Sequence, residues 1–181
     1  MARRFYKRRP EASGQAFEDL IDSTNLQYKN GEVALIHKRP TPIKALKTQG
    51  NRVLSGVFEK KSTVDYDGIY RGKALYFEAK NTQSETSFPL ANIEVHQLEH
   101  FETAEKHGAL CFVLIRFEKK GTIFYVPFSF IQKCRKRAKE GGRKSIAYNE
   151  FLEHCPEVPV TLRANIDYLL FVDREIEGET A

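Results

Sequence analysis

Residues 62–82, STVDYDGIYRGKALYFEAKNT, decide the fold, because two runs of alternating apolar and polar residues meet at Arg71-Gly72, a tight-turn dipeptide. Centring a hairpin there pairs Tyr70 with Lys73 as the last rung of an antiparallel ladder. Counting outward puts Asp65 opposite Glu78 and Thr63 opposite Lys80. Side chains alternate faces with a period of two. Thr63, Asp65 and Asp67 therefore share one face with Tyr76, Glu78 and Lys80, while Val64, Phe77 and Ala79 point to the other. A one-residue bulge near Gly68 would undo this by separating the two acids.

Two carboxylates on facing strands, with Cβ atoms about 5 Å apart, repel unless something neutralises them. A shared divalent ion does so, and oxygen ligands with no cysteine nearby select Mg²⁺ or Mn²⁺ over zinc. A lysine two residues beyond Glu78 offsets charge developing on a phosphate or orients the attacking water. Such a set suits phosphodiester hydrolysis. The spacing alone is degenerate, since an exposed hairpin face of mixed charge reads the same way.

Outward from the hairpin, Ser13 suits a helix N-cap, and Phe17, Leu20, Ile21, Thr24 and Tyr28 fall at helical spacing before Asn30-Gly31. EVALIH (32–37) suits a buried strand. It leads into KRPTPIKALKTQGNRVLSG, whose two prolines, two glycines and five basic residues predict a protruding basic excursion. After the hairpin, Ser87 and Pro89 suit a helix start and Gly108 its stop, with Ile93, Leu98, Phe101 and Ala104 on the apolar face. ALCFVLIRF and TIFYVPF read as paired strands around Glu118 to Gly121. FSFIQKCRKRAKEGGRK reads as a helix with a basic second half, followed by a short helix near Ala147 to His154 and a last strand, DYLLFV.

At 181 residues the chain supports one sizeable core, and 41% hydrophobic residues make it globular. Net charge is +5, but the distribution says more. Residues 1–10, 37–61 and 133–144 hold 19 of the 29 Lys and Arg and only two acids, Glu59 and Glu140, the footprint expected of a nucleic-acid binder. Cys111, Cys134 and Cys155 are odd in number and form no CxxC pair, so they read as buried small hydrophobes. The longest apolar run, Ala109 to Ile115, is too short to span a bilayer, and the expectation is a cytoplasmic protein with no membrane association.

The segments PTPIK, STVDYDGIYRGKALYFEAKNT, TSFPL and HQLEH, in this order, resemble the RecU-type Holliday-junction resolvases within the PD-(D/E)xK nuclease superfamily, from about Gly14 to Asp173. The resemblance implies a homodimeric endonuclease, dependent on Mg²⁺ with Mn²⁺ as a substitute, that cuts four-way junction DNA in recombination and repair. It matches Asp65, Glu78 and Lys80 to the catalytic set, with Lys80 the transition-state stabiliser, and Thr63, Asp65, Glu78 and Gln97 to the metal site. Glu18, on the first helix, is carried as an additional acid, and Asp67 stands where related sequences tend to be neutral. His96 and His100 lie four apart, but without an HExxH pattern they read as capping or packing residues.

By the same resemblance the basic excursion is a short stalk. Lys38, Arg39, Lys44, Lys47 and Arg52 would meet phosphates near the branch point, with Arg143 and Lys144 on an outer arm. The expected fold is α/β, a restriction-endonuclease-like mixed sheet flanked by helices. The expected organisation is a basic N-terminal arm (1–13), one nuclease domain (14–173) with its stalk at about 39–58, and an acidic tail (174–181). Branch-migration or recombinase proteins are the further partners to consider. Two rivals remain: a duplex or flap nuclease of the same fold, and a non-catalytic DNA-architecture protein.

Overall fold

The computed structural model describes residues 10–58 and 62–178, with side chains for 14–57 and 62–178. In chain order they form α1 (Pro10–Asn30), β1 (Leu35–Lys38), β2 (Ile43–Gln49), β3 (Arg52–Phe58), β4 (Tyr66–Tyr70) and β5 (Lys73–Thr82). Then come β6 (Ser87–Pro89), a 3₁₀ turn (Leu90–Asn92), α2 (Val95–Lys106), β7 (Leu110–Phe117) and β8 (Thr122–Pro127). The chain continues through α3 (Phe128–Lys139), β9 (Ser145–Ala147), α4 (Tyr148–His154) and α5 (Leu169–Ile176). The basic residues of the N-terminal arm, together with Lys60, Lys61 and the end of the acidic tail, lie outside the described residues. α1 runs through residue 13 and α5 through residue 173, the two positions where the sequence suggested domain edges.

β4 and β5 form the expected hairpin, from Tyr66 opposite Phe77 to Tyr70 opposite Lys73, with Gly68 opposite Leu75 and no bulge. Arg71 (φ 47°) and Gly72 (φ 76°) both adopt the left-handed conformation, as a two-residue turn between twisted strands requires. Gly68 serves close approach instead: a Cβ there would lie 2.4 Å from the Leu35 carbonyl oxygen and 2.8 Å from the Ile36 Cα. The hairpin sits inside a five-stranded sheet of order β1-β4-β5-β7-β8. β5 and β7 are parallel, and the other neighbours are antiparallel.

Four aromatic rings cross the sheet as a ladder, one from each of four adjacent strands. Their centroids are 4.8 Å (Tyr66 to Phe77), 4.7 Å (Phe77 to Phe112) and 4.5 Å (Phe112 to Tyr125) apart. Each such pair contributes about 0.5–1.5 kcal/mol beyond burial. The ladder fixes strand parity: with Phe77 committed to this face, Glu78 must face the opposite one. On the ladder side, Phe17, Ile21 and Tyr28 of α1 and Leu169, Phe171 and Val172 of α5 close the core. On the Glu78 side, Leu98 and Phe101 of α2, Phe128 and Ile131 of α3 and Phe151 of α4 do so.

The basic excursion forms an antiparallel ribbon, β2 with β3, separate from the main sheet and reversed at Gly50 (φ 55°). All seven residues of β2 are exposed. No core element forms here, as the Pro and Gly content predicted.

Several expectations fail locally. The helix begins by Pro10, so Ser13 lies within it and not at its N-cap position. The first strand is Leu35–Lys38, later than EVALIH suggested. Ser87 and Pro89 belong to β6, which pairs with β9; α2 starts only at Val95, where Glu94 and Gln97 form a capping box. DYLLFV is helical. The outer edge of β8 is occupied by the segment around Glu157, through Tyr125 N–H to Pro156 O (3.0 Å) and Val158 N–H to Ile123 O (2.7 Å), so the run packs on the sheet face as α5. Lastly, the ladder starts at Tyr66, and the chain before it bends, placing Val64 in the α2-side core with Glu78's face instead of opposite it.

Candidate active site

Glu78 has no solvent exposure, and its neighbours explain how a carboxylate is held there. Its Oε1 accepts the Asp65 backbone N–H (2.9 Å), while Asp65 Oδ2 accepts the Ala79 N–H (3.0 Å). This reciprocal exchange continues the hairpin pairing one step past its last ladder rung and sets the two carboxylates side by side. Glu78 Oε2 accepts from Gln97 Nε2 (2.6 Å) and pairs with Lys80 Nζ (2.8 Å). Gln97 reaches in from the first turn of α2, and its Oε1 meanwhile accepts the Glu94 N–H (2.9 Å). Four side chains from three elements thus converge on one point.

Burial and the adjacent Asp65 charge push the Glu78 pKa up to about 8, against the opposing pull of Lys80. The group is short of positive charge. Among the described residues no group of three or more His, Cys, Asp or Glu is placed to hold a metal ion, so the acids here act as a pair. With an amide and a lysine beside them, the donor set is hard oxygen and lacks thiolate or imidazole. That chemistry fits a hard divalent cation held by Asp65 and Glu78.

Thr63 lies just before the ladder and not on a rung opposite Lys80; its hydroxyl accepts a hydrogen bond from Arg39 Nη1. Glu18 is half-buried on α1, and its carboxylate is bound by Lys38 (2.7 Å), itself 3.7 Å from Asp22. The Tyr66 hydroxyl donates to Asp22 (2.9 Å), tying α1 to the hairpin beside the acids. Asp67 pairs with Arg39 Nε (3.5 Å). Lys38 and Arg39 therefore hold internal acceptors, whereas Lys44, Lys47 and Arg52 stand exposed on the ribbon and Arg143 and Lys144 in the loop before β9. His96 Nε2 is 3.1 Å from Ser62 O, and His100 packs edge-on against Tyr76, so neither histidine joins the carboxylates. All three cysteines are free and buried.

The contacts of Arg39 were not legible in the sequence. Its partners lie more than twenty positions away, and no local spacing marks a contact made across the root of the ribbon.

The fold is of the α/β class, a five-stranded mixed sheet flanked by helices, with Asp65, Glu78 and Lys80 gathered at its central hairpin. The family model RecU, recombination protein U, matches residues 12–174. The chain belongs to the RecU family. It is 35% identical over 175 residues to the Holliday junction resolvase RecU of Geobacillus kaustophilus, covering 92% of this chain and 88% of that protein. It is 37% identical over 170 residues to the Holliday junction resolvase RecU of Pediococcus pentosaceus, covering 91% and 85%. A looser likeness, TM-score 0.45 at 14% identity over 93% of this chain and 98% of the other, relates it to Archaeoglobus fulgidus Hjc, a Holliday junction resolvase.

Proposed function

We propose that this chain resolves Holliday junctions in recombination and repair, as an Mg²⁺-dependent endonuclease that cuts opposed strands of a four-way junction. The observation that carries the reading is the buried Glu78 carboxylate, set beside Asp65 and shared by Lys80 and Gln97, in a chain of the RecU family. A binding protein has no need of two adjacent acids facing a polyanion.

Asp65 and Glu78 are the residues to hold the cation, with Thr63 and Gln97 beside them. The cation, when bound, would polarise the scissile phosphate and lower the pKa of the attacking water. Lys80 lies next to these acids and offsets charge that develops on the phosphate in the transition state. Gln97 fixes the rotamer of Glu78, so the carboxylate needs no reorganisation when DNA arrives. Exposed Lys44, Lys47, Arg52, Arg143 and Lys144 meet backbone phosphates, which fixes orientation without reading sequence. Two equivalent cuts on a two-fold symmetric junction call for two sites, which a C2 homodimer supplies. Mn²⁺ has the ligand preferences to substitute for Mg²⁺. Among the described residues no helix is long and apolar enough to cross a membrane. A DNA substrate fits work in the cytoplasm.

The test incubates wild type and Asp65→Asn with labelled four-way junction and matched linear duplex, with and without Mg²⁺. Wild type should cut the junction only with Mg²⁺, and Asp65→Asn should bind it without cutting. Equal cutting of linear duplex would replace the resolvase reading with a general nuclease of the same fold. Binding by wild type with no cutting under any cation would favour an architectural protein.

A further inference from the structure

We propose that Arg39 is a positioning residue: from the foot of the ribbon it clamps the loop 62–67 and so sets Thr63 and Asp65 for cation binding. The inference rests on the metal-site reading above and adds a residue to it. Arg39 touches that loop three times. Its backbone N–H donates to the Asp65 carbonyl (2.8 Å), its Nη1 to the Thr63 hydroxyl, and its Nε lies 3.5 Å from Asp67 Oδ1.

Residues 62–65 carry two of the site positions yet precede the first ladder rung at Tyr66, so the sheet does not by itself fix Thr63. A guanidinium presents donors in a rigid planar fork, which lets one side chain bridge acceptors four residues apart. Thr63 keeps a second lone pair once Arg39 has used the first, so the bond aims the hydroxyl without consuming it. With Nη1 and Nε engaged internally, Arg39 keeps only its remaining Nη donors for a phosphate, the role its position in a basic segment suggests.

The test measures Mn²⁺ binding by isothermal titration calorimetry on the full chain without DNA, for wild type, Asp65→Asn, Arg39→Gln, Arg39→Lys and Asp67→Asn. Asp65→Asn should lose binding, and Arg39→Gln should weaken it about tenfold, the scale at which groups that orient metal ligands act. Arg39→Lys should remain nearly as weak, because one ammonium cannot span Thr63 and Asp67. Asp67→Asn, which takes the charge from one arm's partner, should show a smaller loss, and it carries the test if the Arg39 variants fold poorly.

Wild-type affinity in Arg39→Gln, or in Asp67→Asn where the former does not fold, overturns the clamp while leaving the metal site standing. Full recovery in Arg39→Lys also overturns it, since charge alone would then suffice. Wild-type affinity in Asp65→Asn removes the metal-site reading itself. If Arg39→Gln binds Mn²⁺ normally but lowers the salt slope of junction binding by about 0.9, Arg39 is a phosphate contact instead.

Discussion

Gln97 does two jobs with one amide. Its oxygen accepts the Glu94 N–H that opens α2, and its nitrogen donates to the buried Glu78 carboxylate. Only a side chain that accepts at one end and donates at the other can do both. Gln97→Ala should therefore lose a capping interaction of about 1 kcal/mol and strip a donor from a buried acceptor, for a total of about 2–3 kcal/mol in urea unfolding. Gln97→Glu keeps the cap acceptor but sets a second carboxylate against Glu78. It should be comparably destabilised without metal and regain stability in Mn²⁺, whereas wild-type stability in metal-free buffer would count against the geometry. The Asp65 and Glu78 pair was legible in the sequence because strand period and turn chemistry are local. The contact from Gln97 was not, because a helix-surface glutamine carries no mark of what it will face after a crossover, and only the family resemblance pointed to it.

At the scale of elements, Gly68 shows how the sequence can mark a place while leaving its reason open. A bulge at this glycine would have undone the register read from the sequence, but the register runs through it unbroken, and the glycine is there because β1 backs onto it. Gly68→Ala would force its methyl into the Leu35 carbonyl. Overpacking of this kind costs about 1–3 kcal/mol, and the β1 edge should move. Hydrogen exchange should show β1 amides losing protection while those of β5 and β7 keep theirs; uniform loss would mean that β1 and the hairpin unfold as one unit. The misreading of DYLLFV has a related cause. A short apolar run fits a buried strand or a buried helix equally well, and the vacancy or occupancy of a sheet edge, which decides between them, is a property of the whole sheet. Here Arg163 bonds Asp167 through Nε and Nη2, with Thr161 and Tyr28 on the same carboxylate, and that fixes the start of α5. The strands around β4, β5, β7 and β8 were readable because their alternation and turns agreed, and α1 because its period was long.

Over the whole molecule, charge and chemistry are separated. The acids, Glu78 buried and Asp65 half-buried, sit between the hairpin and α2, while exposed Lys44, Lys47 and Arg52 ride on a ribbon outside the main sheet. Such a division lets DNA affinity and hydrolysis vary independently. Each phosphate contact on duplex DNA contributes about 0.9 to the slope of log K against log salt, so a triple variant Lys44→Gln, Lys47→Gln, Arg52→Gln should flatten that slope by up to about 2.7 per chain. The loss should be the same for junctions of different sequence, since these side chains read backbone and not bases. At protein concentrations that saturate the junction, the single-turnover cleavage rate of the triple variant should match wild type, because Asp65, Glu78, Lys80 and Gln97 form their contacts within the main body of the fold. If saturating protein still cuts tenfold more slowly, the ribbon does more than bind, and it must help to bring the scissile phosphate to the carboxylates.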